Sequence, residues 1–123
     1  MKTEILFIQP LNLEVEFIIG RCQEENHKVI DLGLEDDIWF HANQISSCHV
    51  IALISKCENQ NNIKFNKKDL RYIMKQEAIL CKKYTNSAKN EKIFEVVYTE
   101  LKYIEKTNIP GQVIPHKMKY IKI

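Results

Sequence analysis

The chain has 123 residues, 45% of them apolar and 28% charged, which suits one globular domain with its own core and excludes a low-complexity or disulfide-framework protein. Its longest apolar runs, Ile5–Ile8, Phe17–Ile19 and Val50–Ile54, fall far short of the roughly 20 residues of a membrane-spanning helix. Met1–Glu4 lacks a secretory pattern, so the expected setting is cytoplasmic, with no membrane partner. The net charge of +2 is unevenly spread: residues 1–62 hold four Lys/Arg against ten Asp/Glu, and residues 63–123 hold fourteen against six. Either the basic half meets an anionic partner or the two halves pair with each other.

Glu4–Gln9 reads as a short strand closed by Pro10, and Leu13–Ile19 as a second, with Leu13, Val15, Phe17 and Ile19 on one face. Leu11-Asn12 is a plausible hairpin turn between them. Arg21–Leu34 is polar and irregular and reads as loop, with at most a short strand near Val29–Leu32. Asp37–Ala42 and His49–Ser55 read as an antiparallel pair of strands joined by Asn43–Cys48. Glu58–Asn62 reads as loop. Asn66 is a candidate N-cap, with Asp69 in the first turn, for a helix over Asp69–Tyr84 that frays near Asn86–Asn90. Its apolar face carries Leu70, Ile73, Met74, Leu80, Cys81 and Tyr84. Lys68, Arg71, Lys75 and Lys82 lie nearly opposite, within about 60° of one another. Phe94–Glu105 alternates as a long strand with room for a bend, Pro110-Gly111 turns the chain, and Gln112–Ile114 and Met118–Ile123 close it as short strands. Strands in series around one main helix imply an α+β fold: a mainly antiparallel sheet with one principal helix packed on one face, in a single domain over residues 1–123.

Few arrangements carry catalytic chemistry. Gly20, Gly33 and Gly111 are isolated, so there is no phosphate loop, and no nucleophile elbow or His-Glu-x-x-His spacing occurs. Cys22, Cys48, Cys57 and Cys81 contain no Cys-x-x-Cys pair and suit a reducing compartment. His41, Cys48 and His49 would approach one another in a hairpin, with Cys57 near, but a small buried thiol beside two hydrogen-bonded histidines explains them equally, and no metal is expected. Asp37 and His41 share a strand face but stand about 13 Å apart along it, beyond proton-transfer reach. No catalytic residue, metal or cofactor is therefore assigned, and an enzyme is not expected. Trp39 and His41 on an open sheet face are candidates for base stacking; the alternative is that a helix covers them and they are core. The cationic helix stripe is a candidate phosphate track, or simply a solvated face.

Several blocks, in order, resemble one family. Asp37-Ile38-Trp39-Phe40-His41-Ala42, followed by Ile45–Ile51 with its His49-Val50 pair, resembles the signature of the NFACT-R domain. Gly20-Arg21 and Asn26 are similar to its first motif. Glu77-Ala78 through Cys81, Tyr84 and Ala88 resemble its helix. Val96–Thr99 with Lys102–Lys106, and Pro110–Val113, resemble its closing blocks, so the likeness runs over residues 13–123. Cys22, His27 and Ser46-Ser47 depart from the family pattern, where Asn, Asp and Pro-Gly are usual.

The resemblance implies RNA binding without catalysis, with tRNA or the ribosome as partner and a role in translation or ribosome quality control. DNA binding through the same surface, or a protein-adaptor role at the ribosome, remains open. The N-terminal NFACT domain, helix–hairpin–helix region and coiled coil of full-length NFACT proteins are lacking, so peptide tailing by this chain alone is not expected. The candidate contacts are Arg21, Trp39, His41, His49, Lys68, Arg71, Lys75, Lys82, Lys102 and Lys119, with Lys117 and Lys122 beside the last.

Overall fold

Two hairpins begin the sheet. β1 (Lys2–Ile8) and β2 (Leu13–Gly20) pair antiparallel from Lys2↔Ile19 to Ile8↔Leu13. The chain reverses through Gln9–Leu11 and Asn12, which takes the left-handed conformation (φ 54°) that Asn tolerates better than most residues. β3 (Ile38–Ala42) and β4 (His49–Ala52) form the second hairpin, and β4 also pairs with β2. The computed structural model describes residues 1–85 and 93–123; the helix end expected at Asn86–Asn90, and Ala88, lie outside the described residues. β5 (Glu95–Glu100) adds to the free side of β3, and β8 (Lys119–Lys122) adds to β5. The resulting order is β1-β2-β4-β3-β5-β8, with every neighbouring pair antiparallel.

The expected Phe94–Glu105 strand does not run through. Leu101–Tyr103 makes one tight helical turn, and the chain leaves the main sheet as β6 (Ile104–Lys106), which pairs with β7 (Val113–Pro115) in a separate ribbon. The alternation of residues 94–105 continues across the break, so it conceals a change of direction imposed by tertiary packing.

Two segments read as irregular are helices. α1 (Gln23–Leu32) occupies the supposed loop, and α2 (Ile54–Asn61) begins inside the supposed fourth strand and takes in the loop after it. Their N-cap residues, Cys22 and Leu53, make no side-chain cap; α1 has Glu24 and Glu25 in its first turn, where the helix dipole favours them, and α2 has no acidic residue there. For α2 the anion comes from elsewhere, since the buried Asp37 carboxylate accepts the Ser55 amide at 2.9 Å in the first turn and the Leu34 amide at 2.8 Å. Gly20 permits α1 to lie against β2, because a Cβ there would sit 2.5 Å from Asn26 Oδ1 and 2.9 Å from its backbone. By contrast α3 (Lys67–Lys83) is announced by its own residues: Asn66 Oδ1 accepts the Asp69 amide at 2.8 Å and Asp69 Oδ2 accepts the Asn66 amide at 3.0 Å.

The α+β class with a mainly antiparallel sheet is what the structure shows, but one principal helix on one face is not. Val15, Phe17, Ile19, Ile38, Phe40, Val50, Ala52 and Val96 pack under α2 and α3, through Ile54, Cys57, Ile73, Ala78 and Cys81. The alternate residues Ile18, Trp39, Ile51 and Val97 form a second core with Val29 and Ile30 of α1 and with Ile104 and Val113 of the ribbon. Helices thus cover both faces, which is why the central strands β3 and β4 are apolar on both sides apart from one histidine each. No described helix is long and apolar enough to cross a membrane.

Two titratable groups lie inside these cores. His49 Nδ1 accepts a hydrogen bond from Trp39 Nε1 at 3.2 Å, and burial, then the neighbouring His41 and His27, pulls the imidazole down to about 3. Glu77 is fully buried on α3 with neither carboxyl oxygen hydrogen-bonded among the described residues. Burial pushes its carboxyl well above the ordinary range; the Ala52 backbone opposes the shift and the charge of Asp37 adds to it.

The two make opposite pH contributions. Unfolded His49 takes a proton at 6.5 and folded His49 at about 3, so the unfolded chain binds more protons between those values. Stability from this group is complete above 6.5 and falls with acidification, by as much as roughly 5 kcal/mol at the low end. Urea denaturation at pH 7, 5.5 and 4.5 should show that slope, and His49→Gln, which keeps an acceptor for Trp39, should flatten it. Glu77 binds its proton more tightly when folded, so its contribution is largest below 4.5 and is lost as pH rises through the raised folded value. Glu77→Met should stabilise the chain by about 1–3 kcal/mol at pH 8, measured in the same assay, by removing a buried unpaired polar group.

Candidate nucleic-acid interface

The basic half of the chain is partly neutralised by the acidic half. Lys83 pairs with Glu4, Lys106 with Asp31, and Lys102 with Asp36 at 3.1 Å. Lys102 also pairs with Glu100 at 2.9 Å, and these two carboxylates hold its ammonium above the ordinary lysine range. Two carboxylates therefore cancel Lys102, which is removed from the candidate contacts.

The cations left over are not scattered. Where α3 begins, its flank faces the end of β5 and the approach to β8 across a groove of about 870 Å³. Lys67, Leu70, Arg71 and Met74 line it from the helix, at the i, i+3, i+4, i+7 spacing of one helical flank. The sheet side gives Ile38, Tyr98, Thr99 and Glu100, and the segments beyond give Tyr103, Lys117, Met118 and Lys119. Register explains the meeting: Lys119 lies directly opposite Tyr98, and Glu100 opposite Ile38, on adjacent strands. Tyr98 stacks on Phe40 with ring centroids 5.3 Å apart, and the Lys117 ammonium lies 4.8 Å from the Tyr103 ring centroid.

Four cations thus face one carboxylate, Glu100, which is already engaged by Lys102. Lys67, Arg71, Lys117 and Lys119 have no ion-pair partner among the described residues. Lys68 and Lys75 are exposed on the adjoining solvent side of α3, also without ion pairs there. Lys82 is half-buried near the other end of the helix.

The remaining candidates lie elsewhere. Trp39 and His49 belong to the core on the opposite face, 2% exposed each, so neither is available to stack on a base. Of the two readings of the face bearing Trp39 and His41, open or covered, Trp39 is covered, within a core that includes Val29 and Ile30 of α1 and Ile104 and Val113 of the ribbon. His41 is half-buried, stacked on Trp39 at 5.8 Å, and donates through Nδ1 to the Ala42 carbonyl at 2.6 Å. Burial lowers its pKa, so it is held neutral. His41 and His49 do approach, with ring centroids 5.0 Å apart, but Cys48 turns away to the Cys81 carbonyl and Thr85. No group of three or more described His, Cys, Asp or Glu residues is arranged to hold a metal ion.

Arg21 is exposed at the other end of α3, beside a second recess of about 750 Å³ that includes Ser47, Cys48 and Tyr84. From Arg71 to Tyr84 is about 20 Å along the helix axis. The Arg21 guanidinium lies 3.6 Å from Glu25, whose carboxyl is drawn down to about 2 by the chain's amino terminus and then by the Arg21 amide. Arg21 therefore does not share a surface with the groove.

Lys67 had a usable sequence signal, lying four residues before Arg71 on one helix. Tyr98, Tyr103 and Met118 had none, because only the β5–β8 pairing and the turn at Leu101–Tyr103 bring them to α3.

Comparison with known proteins places this architecture. The chain is 29% identical over 120 residues to the coiled-coil domain-containing protein 25 homolog of Dictyostelium discoideum, covering 96% of this chain and 55% of that protein. It is 32% identical over 108 residues to coiled-coil domain-containing protein 25 of Mus musculus, covering 85% and 49%. The chain thus spans about half the length of the curated relatives it matches. In fold it is similar to the C-terminal part of the fibronectin/fibrinogen-binding protein of Streptococcus suis, with a TM-score of 0.70 at 19% identity, covering 89% of this chain and 40% of that one. The model of the NFACT protein RNA binding domain matches residues 5–117, nearly the whole of both cores and the groove between α3 and β8, and the chain belongs to that family.

Proposed function

We propose that this chain binds RNA and that the α3–β8 groove is its contact surface. One observation carries the reading: Lys67, Arg71, Lys117 and Lys119 converge on one concave surface without ion-pair partners among the described residues. Elsewhere Lys56, Lys83, Lys102 and Lys106 are ion-paired, whereas no described carboxylate pairs with any of the four groove cations. Unpaired cations held close together repel one another, and a polyanion relieves that repulsion while releasing its own counterions. Lys68 and Lys75 extend the charge along the solvent side of α3.

Membership of a family described as an RNA binding domain supports RNA as the partner, and that family is not an enzyme class. The likeness to NFACT-R domains supports a structured RNA such as tRNA or rRNA, in translation or ribosome quality control. A protein-adaptor reading would have the face bearing Trp39 meet a partner, but Trp39 is 2% exposed within the second core.

The test is equilibrium binding to a fluorescent RNA across a salt series. With four phosphate contacts the plot of log affinity against log salt should fall with a slope of about −3 to −4. Arg71→Gln and Lys119→Gln should each weaken binding several-fold and flatten the slope by about 1. Arg21→Gln should change affinity less than about twofold, since Arg21 faces Glu25 at the far end of α3. Absence of binding at low salt, or groove variants that bind as well as the parent, would overturn the proposal.

A further inference from the structure

The groove is more than a charged track. Duplex RNA presents its phosphates on the outside and keeps its bases stacked within, so a site for duplex backbone needs cations on an open surface and gains nothing from an apolar recess. Here the cations sit around a recess whose lining also includes Leu70, Met74, Tyr98, Tyr103 and Met118. Its volume, about 870 Å³, lies in the range of sites that enclose a small organic ligand, typically about 300–1,000 Å³. Met118 is 43% exposed although apolar. Tyr103 is half-buried, with the ammonium of Lys117 4.8 Å and that of Lys102 5.6 Å from its ring centroid, so the ring already serves as a surface for planar or cationic groups.

We infer that the groove holds an unstacked nucleotide from a single-stranded or looped segment, its base against Tyr103 and Met118 and its flanking phosphates on Lys117, Lys119 and Arg71. This rests on the RNA-binding reading above and sharpens it: the partner is RNA with an unpaired, splayed base, and duplex is bound only through its charge. Charge complementarity selects the occupant, because an apolar peptide would leave four cations unanswered and a bare polyphosphate would leave the aromatic and thioether lining uncovered.

Three RNAs with the same number of phosphates separate the possibilities: a single strand, the same strand with its central bases removed, and a blunt duplex of half that length. The intact strand should bind about tenfold more tightly than the abasic strand. Tyr103→Leu should abolish most of that preference while leaving duplex affinity and the salt slope in place. Should Tyr103→Leu fail to fold, as judged by circular dichroism, Met118→Asp at the exposed position should reduce the preference in the same way. Equal binding of intact and abasic strands, or a preference that survives both substitutions, overturns the unstacked-nucleotide inference while RNA binding stands. No binding of any of the three at low salt overturns the RNA-binding reading and this one with it.

Discussion

The carboxylate of Asp37 is buried just before β3, and much of the molecule is positioned through it. Its oxygens accept the Leu34 and Ser55 amides, its own amide donates to the Leu34 carbonyl, and its carbonyl accepts the Leu101 amide. A buried charge is unfavourable unless such donors answer it, and the first turn of α2 adds its dipole. These bonds fix three things at once: the turn that ends the α1 segment, the start of α2, and the point where the chain leaves β5. The last matters for the groove. Leu101 on Asp37, with the Lys102 amide on the Glu35 carbonyl, sets where Glu100 stops and Tyr103 begins.

That arrangement explains what the family resemblance does and does not contain. The Asp-Ile-Trp-Phe-His block is interior: Asp37 is the hydrogen-bonding hub, Ile38 and Phe40 pack under α2 and α3, and Trp39 packs under α1 with its indole on His49. Each residue of the block answers a demand of folding. The surface where an anion would rest lies on the other side of the sheet from Trp39; of that block only Ile38 lines it, and its cations all come from elsewhere in the chain. A signature of this kind identifies an architecture with confidence and is silent on the ligand contacts.

Features that a segment imposes on itself were legible in the sequence. The β1–β2 hairpin, the alternating faces of β3, and the Asn66 N-cap with Asp69 in the first turn depend on neighbours within a few residues and appear as expected; the reciprocal bond from the Asn66 amide to Asp69 is an addition. Features imposed from a distance were not. α1 and α2 lack caps of their own and are stabilised by Gly20 making room and by Asp37 supplying an anion across the sheet. The same distinction governs the candidate site. Arg71 and Lys119 were visible as members of a cationic set, but the choice among cations turned on which had carboxylates beside them. Lys102 met two of them and Arg71 met none among the described residues; one of the two, Asp36, lies more than sixty positions away.

The two walls of the groove come from Lys67–Met74 and from Tyr98–Lys119, stretches brought together only through the strands between and beneath them. Nothing resembling the binding surface survives in an unfolded chain. Affinity measured on any sample is the intrinsic value scaled by the fraction of molecules that are folded. A substitution deep in either core, remote from every cation, will therefore mimic a contact mutation once it erodes that fraction, and only normalising to folded protein tells the two apart.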